Sequence, residues 1–469
     1  MKKKTRTIYH RHYKSIDKDV FRKDLAVLLS EQLDYCKDAP FATRSVLFNH
    51  SLSDLLNLHA PLKKKVIKDV PGCSWFNREY VLLRRQRRKA EKVAAKSGLS
   101  VHKDIFKKLR KETTLLAKSL KKLDINNSLM SAKGDQKKLF SVFNNLVDEN
   151  HATQLPDYQS EEELANRFSV FFVEKVKGIR NSFGVVESSS LLATDSFTGN
   201  VLSDFELITV DDMKALILEH GVKCSIADIF PADLINDHLD LFLPVWTDLV
   251  NASLKEGTMD GLKTAIVKPL IKKSNLDAEI LKSFRPVSNL PFLSKIIERV
   301  VYKQLNRHMD NNNLIIDDQS GYKKGHSTET LLIKITNDLL IASDNNTATV
   351  LLLLDLSAAF DTVHIDKLLN ILFSEIGIRG TALSWFKSYL HCRTQKVKIG
   401  NSFSEEIIIE FGVPQGSVLG PVLFNIYIRS FYQFVRLNTS FDVQGYADDH
   451  QLYSSFSLNN QMFMLGDNI

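Results

Sequence analysis

An α+β fold is predicted by three observations. Val350-Leu351-Leu352-Leu353-Leu354 is an unbroken apolar run that ends at Asp355, as expected of a strand buried on both faces with a carboxylate at its mouth. Tyr446-Ala447-Asp448-Asp449 is flanked by β-prone segments, Phe441 to Gly445 and Gln451 to Phe456, which places the two acids on a tight hairpin turn. Elsewhere apolar residues recur at helical spacing over long stretches.

Composition fits a folded chain of two or three domains: of 469 residues, 44% are hydrophobic and 25% charged, ordinary globular usage that excludes general disorder. Cys36, Cys73, Cys224 and Cys392 are scattered without Cys-x-x-Cys spacing, which argues against a zinc module or a disulfide framework and for reduced thiols inside the cell. No apolar leader follows Met1 and no run approaches 18 apolar residues, so neither secretion nor a membrane span is expected. The formal charge of +7 is uneven: Leu62 to Asp124 holds 20 Lys or Arg against 6 Asp or Glu, leaving the rest of the chain net acidic.

In chain order, Asp17 to Leu58 carries a mixed helical pattern, and Pro61 to Trp75 reads as an extended connector. Asn77 to Lys122 is a basic helical region broken near Ser97-Gly98, a surface that could track a phosphate backbone or simply be solvated. Lys137 to Leu146 adds a short amphipathic stretch. Ser160 to Lys177 has helical period, with three glutamates where the helix dipole favours them. Asn181 to Asn200, rich in Ser, Thr and Gly, reads as a linker, and helical signals resume over Leu202 to Glu256.

From Leu262 the signals sharpen. Lys263 to Lys273 alternates basic and apolar residues like a strand, Phe284 to Ser288 follows, and Leu293 to Leu305 has one apolar helical face. Gln319 to Thr328 is a Gly-punctuated basic loop before a helix over Leu331 to Ile341. Arg285 and Lys323 are therefore candidates for holding polyphosphate or a template backbone. Helices are expected at Ile365 to Phe373 and Ala382 to Tyr389, strands at Gln395 to Ile399 and Ile407 to Phe411, and a Gly-rich turn, Gly412 to Pro421, leading into a helix over Val422 to Ile428.

Asp355, Asp448 and Asp449 carry the candidate chemistry. Adjacent carboxylates repel, and burying them raises their affinity for protons unless a hard divalent ion compensates. Taken alone, Asp-Asp in a turn is usually solvated turn chemistry. Five motifs in order change that weighting: Arg285-Pro286-Val287-Ser288; Gln319 to Thr328; Leu354-Asp355-Leu356-Ser357-Ala358-Ala359-Phe360-Asp361; Gly412 to Pro421; and Tyr446-Ala447-Asp448-Asp449. In that set the chain resembles the reverse transcriptases of LINE-type, non-LTR retrotransposons, over roughly Leu262 to Tyr453. The basic region from His59 to Leu146 resembles, in style alone, the connector between endonuclease and polymerase in such elements.

The resemblance implies an RNA-directed DNA polymerase, a nucleotidyltransferase that adds deoxynucleotides to a primer 3′-OH with two Mg²⁺ ions, Mn²⁺ being a substitute. Asp355, Asp448 and Asp449 would be catalytic and would hold metal, with Leu356, which can offer only its main chain, beside them. Arg285, Lys323, Phe360, Gln415 and Gly416 would meet the nucleotide, Phe360 lying under its sugar and excluding a 2′-OH. Tyr446, Ala447, Lys268 and Lys324 would meet primer or template. RNA template, DNA primer and dNTPs would be the partners, no membrane is implied, and target-site priming would by analogy place the protein in the nucleus.

Three regions are expected: a helical, basic, connector-like stretch over residues 1–150; a helical region over 151–255 with its Ser-rich linker near 181–200; and fingers and palm over 256–469, with an antiparallel palm sheet. Two departures from the family pattern stand out. Lys323 replaces the usual Arg, keeping charge but losing bidentate geometry, and Thr362-Val363-His364-Ile365 lacks the Asp common between the Val and the His. Only 20 residues follow Asp449, so a helical thumb is expected to be absent, as is an upstream endonuclease. The competing expectation is an inactive truncated remnant that binds RNA or DNA through the basic segment.

Overall fold

The computed structural model describes residues 5–35, 38–68, 75–134, 139–140, 142–143, 155–182, 197–273, 275–356 and 358–457. Most of the Lys137 to Leu146 stretch and of the Asn181 to Asn200 linker lies outside these residues. The chain forms two compact units, one of residues 1–8 and 64–154, the other of residues 9–63 and 155–469.

The first unit is dominated by two basic helices, Arg78–Ser97 and Ser100–Ser131, with the break where the sequence places it. The Asn77 side chain accepts from Tyr80 N at 2.8 Å and starts the first helix. Few side chains are buried in either helix, Ala94 and Thr113 being the exceptions. Strands β1 (Thr5–His10) and β2 (Lys63–Lys68) pair as a two-stranded ribbon.

The second unit holds two sheets and a helical core. Helices Lys18–Tyr35 and Phe41–His59 supply the two pieces of the Asp17 to Leu58 pattern. They pack with Leu239–Glu256, Phe292–Asn311 and Gly380–Leu390, where Trp385 stacks on Tyr389 at 5.3 Å.

One sheet runs in the order β4 (Phe284–Asn289), β3 (Thr264–Ile271), β6 (Arg393–Ile399), β7 (Ser402–Phe403), with β8 (Ile407–Ile409) also on β6. β3 and β4 are antiparallel, while β3 and β6 are parallel from Thr264 opposite Thr394. Alternation along β3 buries Ala265 and Val267 and leaves Lys268 exposed. Helix Glu161–Ser182, started by Ser160 Oγ accepting from Glu163 N at 3.1 Å, lays Leu164, Phe168 and Phe172 on Val267, Phe284, Val397 and Ile399. Each such aromatic contributes about 1.5–3 kcal/mol by leaving water.

The other sheet has three antiparallel strands in the order β5 (Thr347–Asp355), β10 (Asp449–Ser457), β9 (Asp442–Tyr446). Helix Thr328–Asp344 covers part of it through Leu331, Ile335 and Tyr453. Here the structure overturns an expectation. Val350 to Leu354 are all exposed, Leu353 by 72%, rather than buried on both faces. Among the described residues β5 is an outer strand, paired only with β10, and an apolar run announces a strand without saying how many layers cover it.

Candidate active site

The register of β5 and β10 sets Asp355, the last residue of one strand, directly opposite Asp449, the first residue of the other. Directly opposed antiparallel residues have Cα atoms roughly 4.5–5.5 Å apart, so the two carboxylates share one edge of the sheet. Asp449 also pairs with Tyr446 across the hairpin, leaving Ala447-Asp448 as its two-residue turn. Asp355 and Asp449 are exposed and Asp448 is half-buried. Among the described residues no three His, Cys, Asp or Glu side chains already converge as a metal cage. The donors themselves are hard carboxylate oxygens on two adjacent strands and the turn between them, two of them exposed, and that chemistry fits a divalent cation.

The turn is held by a residue that sequence reasoning missed. Ala447 has φ +58°, a left-handed conformation costing a non-glycine residue roughly 1–2 kcal/mol. Its N–H donates to Gln319 Oε1 at 2.9 Å, and its carbonyl accepts from Gln319 Nε2 at 3.1 Å. Gln319 is 2% exposed, and its amide also receives Gly321 N at 2.7 Å and donates to the Tyr432 hydroxyl at 3.2 Å. Ser320 N to Gly445 O and Gly445 N to Asp318 O, each 2.8 Å, lay this segment alongside β9. A methyl group on Gly321 would overlap Ala447 N, and one on Gly445 would overlap the Tyr432 hydroxyl, so both glycines are fixed by close approach. The Gln-Ser-Gly of the basic loop is thus a bracket for the acidic hairpin.

Beyond the bracket, the loop turns outward. Tyr322 is half exposed, and burial of its remainder, with Asp448 and Tyr446 nearby, raises its hydroxyl pKa. Its ring meets Phe360 edge-on at 6.1 Å, and Phe360 stacks on Phe424 at 4.9 Å. Phe360 is therefore part core and part cleft wall. Lys323 pairs with Asp317 at 3.4 Å, while Lys324 is exposed. Tyr322, Lys323 and Lys324 all line a cavity of about 690 Å³ that reaches Asn425 and Arg429.

The Gly-rich turn docks on β4: Ser288 N donates to Gln415 O at 3.2 Å, and a Cβ on Gly416 would come within 2.8 Å of Ser288 O. Glu298 anchors the same turn from beneath. It is fully buried, accepts from Val418 N at 2.6 Å, Leu419 N at 3.2 Å and the Tyr389 hydroxyl at 3.3 Å, and burial raises its pKa against the pull of Arg393. On β4, Arg285 is exposed opposite Leu270, two residues along from Lys268, so both cations stand on one face of the β3–β4 hairpin.

The sequence-derived residues therefore fall into three linked groups: the acids with Leu356, Tyr446 and Ala447 at the hairpin; Phe360, Lys323 and Lys324 beside them; and Arg285, Lys268, Gln415 and Gly416 around β4. Val413 N donating to Phe360 O at 2.8 Å joins the last two. The roles of Gln319 and Glu298 carried no local signal, because the segments they hold, the turn at Ala447 and the turn at Val418, lie more than a hundred residues away.

Residues 271–461 match the family model described as reverse transcriptase (RNA-dependent DNA polymerase). The probable RNA-directed DNA polymerase from transposon BS of Drosophila melanogaster is 34% identical over 158 residues, 34% of this chain and 17% of that protein. Its counterpart from transposon X-element of the same species is 35% identical over 152 residues, 32% and 16% of the two chains. The RNA-directed DNA polymerase from mobile element jockey of Drosophila melanogaster is 30% identical over 225 residues, 47% of this chain and 24% of that one. The matched stretches thus span less than a quarter of the length of these relatives. No helix among the described residues is long and apolar enough to cross a membrane.

Proposed function

We propose that residues 271–461, which match the reverse transcriptase family model, form a reverse transcriptase of the LINE-type kind, and that this chain is an RNA-directed DNA polymerase extending a DNA primer on an RNA template. The observation that carries the reading is the opposition of Asp355 and Asp449 at two strand ends, with Asp448 on the turn beside them. Reverse transcriptases generally use divalent metal ions, and here Asp355, Asp448, Asp449 and the main-chain carbonyl of Leu356 would hold Mg²⁺, with Mn²⁺ as a substitute. Bound there, such an ion would supply Lewis acidity toward the primer hydroxyl and neutralise phosphate charge.

The chain's own residues supply alignment. The β3–β4 hairpin is read as fingers and the three-stranded sheet as palm. Arg285 and Lys268 share a face from which they would draw in the triphosphate and template backbone, and Lys323 would exchange Asp317 for phosphate. Phe360, backed by Phe424, would lie under the sugar as a rigid floor that leaves no room for a 2′-OH. Gln415 and Gly416 would border the base and sugar, and Tyr446 and Ala447 would support the primer end. Phosphoryl transfer needs alignment and charge neutralisation more than a covalent nucleophile, which these groups match.

Primer extension on poly(rA)/oligo(dT) with Mg²⁺ and labelled dTTP tests the reading. Incorporation is expected from the native chain and not from Asp448→Asn, whose unfolding midpoint should be unchanged. A folded, duplex-binding native protein that incorporates nothing would overturn it.

A further inference from the structure

Asp361 stands one residue past Phe360, and its Oδ1 accepts from Gln415 Nε2 at 3.0 Å. The two loops are locked by main chain on either side: Val413 N donates to Phe360 O and Gly412 N to Val363 O, both at 2.8 Å. A cavity of about 80 Å³ lies alongside, bounded by helix Glu161–Ser182, β6 and the loop that leads to Gln415. Charged groups stand on these elements around Asp361 and its cavity. The helix brings Lys175, with Lys272 close to it; Lys177, paired with Glu410 at 3.3 Å; and Arg180, which donates to Thr362 O at 3.1 Å. From β6 comes Arg393.

An ionised carboxylate only accepts hydrogen bonds, so Gln415 must turn its NH₂ toward Asp361 and its carbonyl oxygen the other way. No hydrogen bond among the described residues occupies that oxygen. Resting on the polymerase reading, we propose that Asp361 is a positioning residue that fixes Gln415 with its carbonyl oxygen presented as an acceptor to the incoming deoxynucleotide, and that Lys175 supplies the counter-charge. Lys175 lies on a helix outside the segment matched by the family model, so the nucleotide site extends beyond that segment. Burial pushes the Asp361 carboxyl up to about 6 while Lys175 pulls it down, which puts the loss of the ionised form just below neutrality and makes it dependent on Lys175. A protonated or amidated Asp361 would let the Gln415 amide flip.

The test is equilibrium binding of dTTP between pH 5 and 8 to the native chain on a dideoxy-terminated oligo(dT)/poly(rA) duplex, beside Lys175→Met and Asp361→Asn, with primer extension in parallel. Native affinity should fall below about pH 6, by roughly tenfold per unit at most for a single proton. In Lys175→Met the fall should begin at higher pH, and Asp361→Asn should bind weakly with no pH dependence in this range. A midpoint unmoved in Lys175→Met, an Asp361→Asn that keeps native affinity and profile, or no dTTP binding at all would overturn the proposal. This pH signature without primer extension would support the positioning role and overturn the polymerase reading alone.

Discussion

Gln319 and Ala447 exchange two hydrogen bonds across 128 residues of sequence, the Ala447 N–H donating to the side-chain oxygen and the Ala447 carbonyl accepting from the side-chain nitrogen. A carboxamide carries its acceptor oxygen and its donor nitrogen on separate atoms of one planar group, so it serves both at once. Replacing it with Leu, of similar size, leaves a buried main-chain N–H and C=O without partners. Gln319→Leu is expected to cost about 1–3 kcal/mol of stability in a urea titration and to reduce primer extension by a larger factor, because the turn carrying Asp448 loses its bracket. An unchanged urea midpoint would show that the bracket does not hold the turn.

Gly445 should tolerate no side chain while Tyr432 keeps its hydroxyl, since an added methyl would overlap that oxygen. Gly445→Ala is expected to destabilise by about 1–3 kcal/mol through overpacking. Adding Tyr432→Phe should recover part of the loss, and a double-mutant cycle of thermal midpoints measures the coupling. Purely additive losses would place the clash elsewhere.

Asp361 makes the opposite kind of prediction, because its environment favours the protonated acid. A carboxyl raised from 3.8 to about 6 in the folded state contributes stability below the unfolded value and loses it as pH rises through the folded one. Above pH 6 the native protein therefore carries the full penalty of a buried charge. Asp361→Asn is expected to melt higher than the native chain at pH 8, with the advantage shrinking as pH falls toward 4. A variant that melts lower at pH 8 would mean that the ionised carboxylate stabilises the fold. A gain in stability joined to a loss of nucleotide affinity would mark the residue as kept for function.

Leu353 tests the corrected reading of β5. A leucine buried on both faces costs about 2–5 kcal/mol on truncation, whereas a surface position changes stability by about 0.5 kcal/mol or less. Leu353→Thr, which keeps β propensity, is expected to shift the unfolding free energy within that smaller range. A loss of several kcal/mol would return the strand to the interior.

Local pattern made much of the architecture legible. The helix over Ser160 to Lys177, the break at Ser97-Gly98, strand β3 and the acidic turn all follow from spacing and turn chemistry, each a matter of a few neighbouring residues. What stayed hidden depends on distance in sequence. Glu298 looks like any polar residue on a helix until the turn at Val418 arrives to cover it. Gln319 looks like loop until β9 docks beside it, and Val350 to Leu354 reads as core because composition cannot say what packs on a strand.

Helix Glu161–Ser182 and most of β3 precede residue 271, where the similarity to the reverse transcriptase family model begins. A fragment excised at the limits of that similarity would lose the central strand of one sheet and strip the cover from Phe284, Val397 and Ile399. The stretch matched by that model is thus smaller than the set of elements that share one core, and a cut at its limits would pass through a packed sheet and its covering helix.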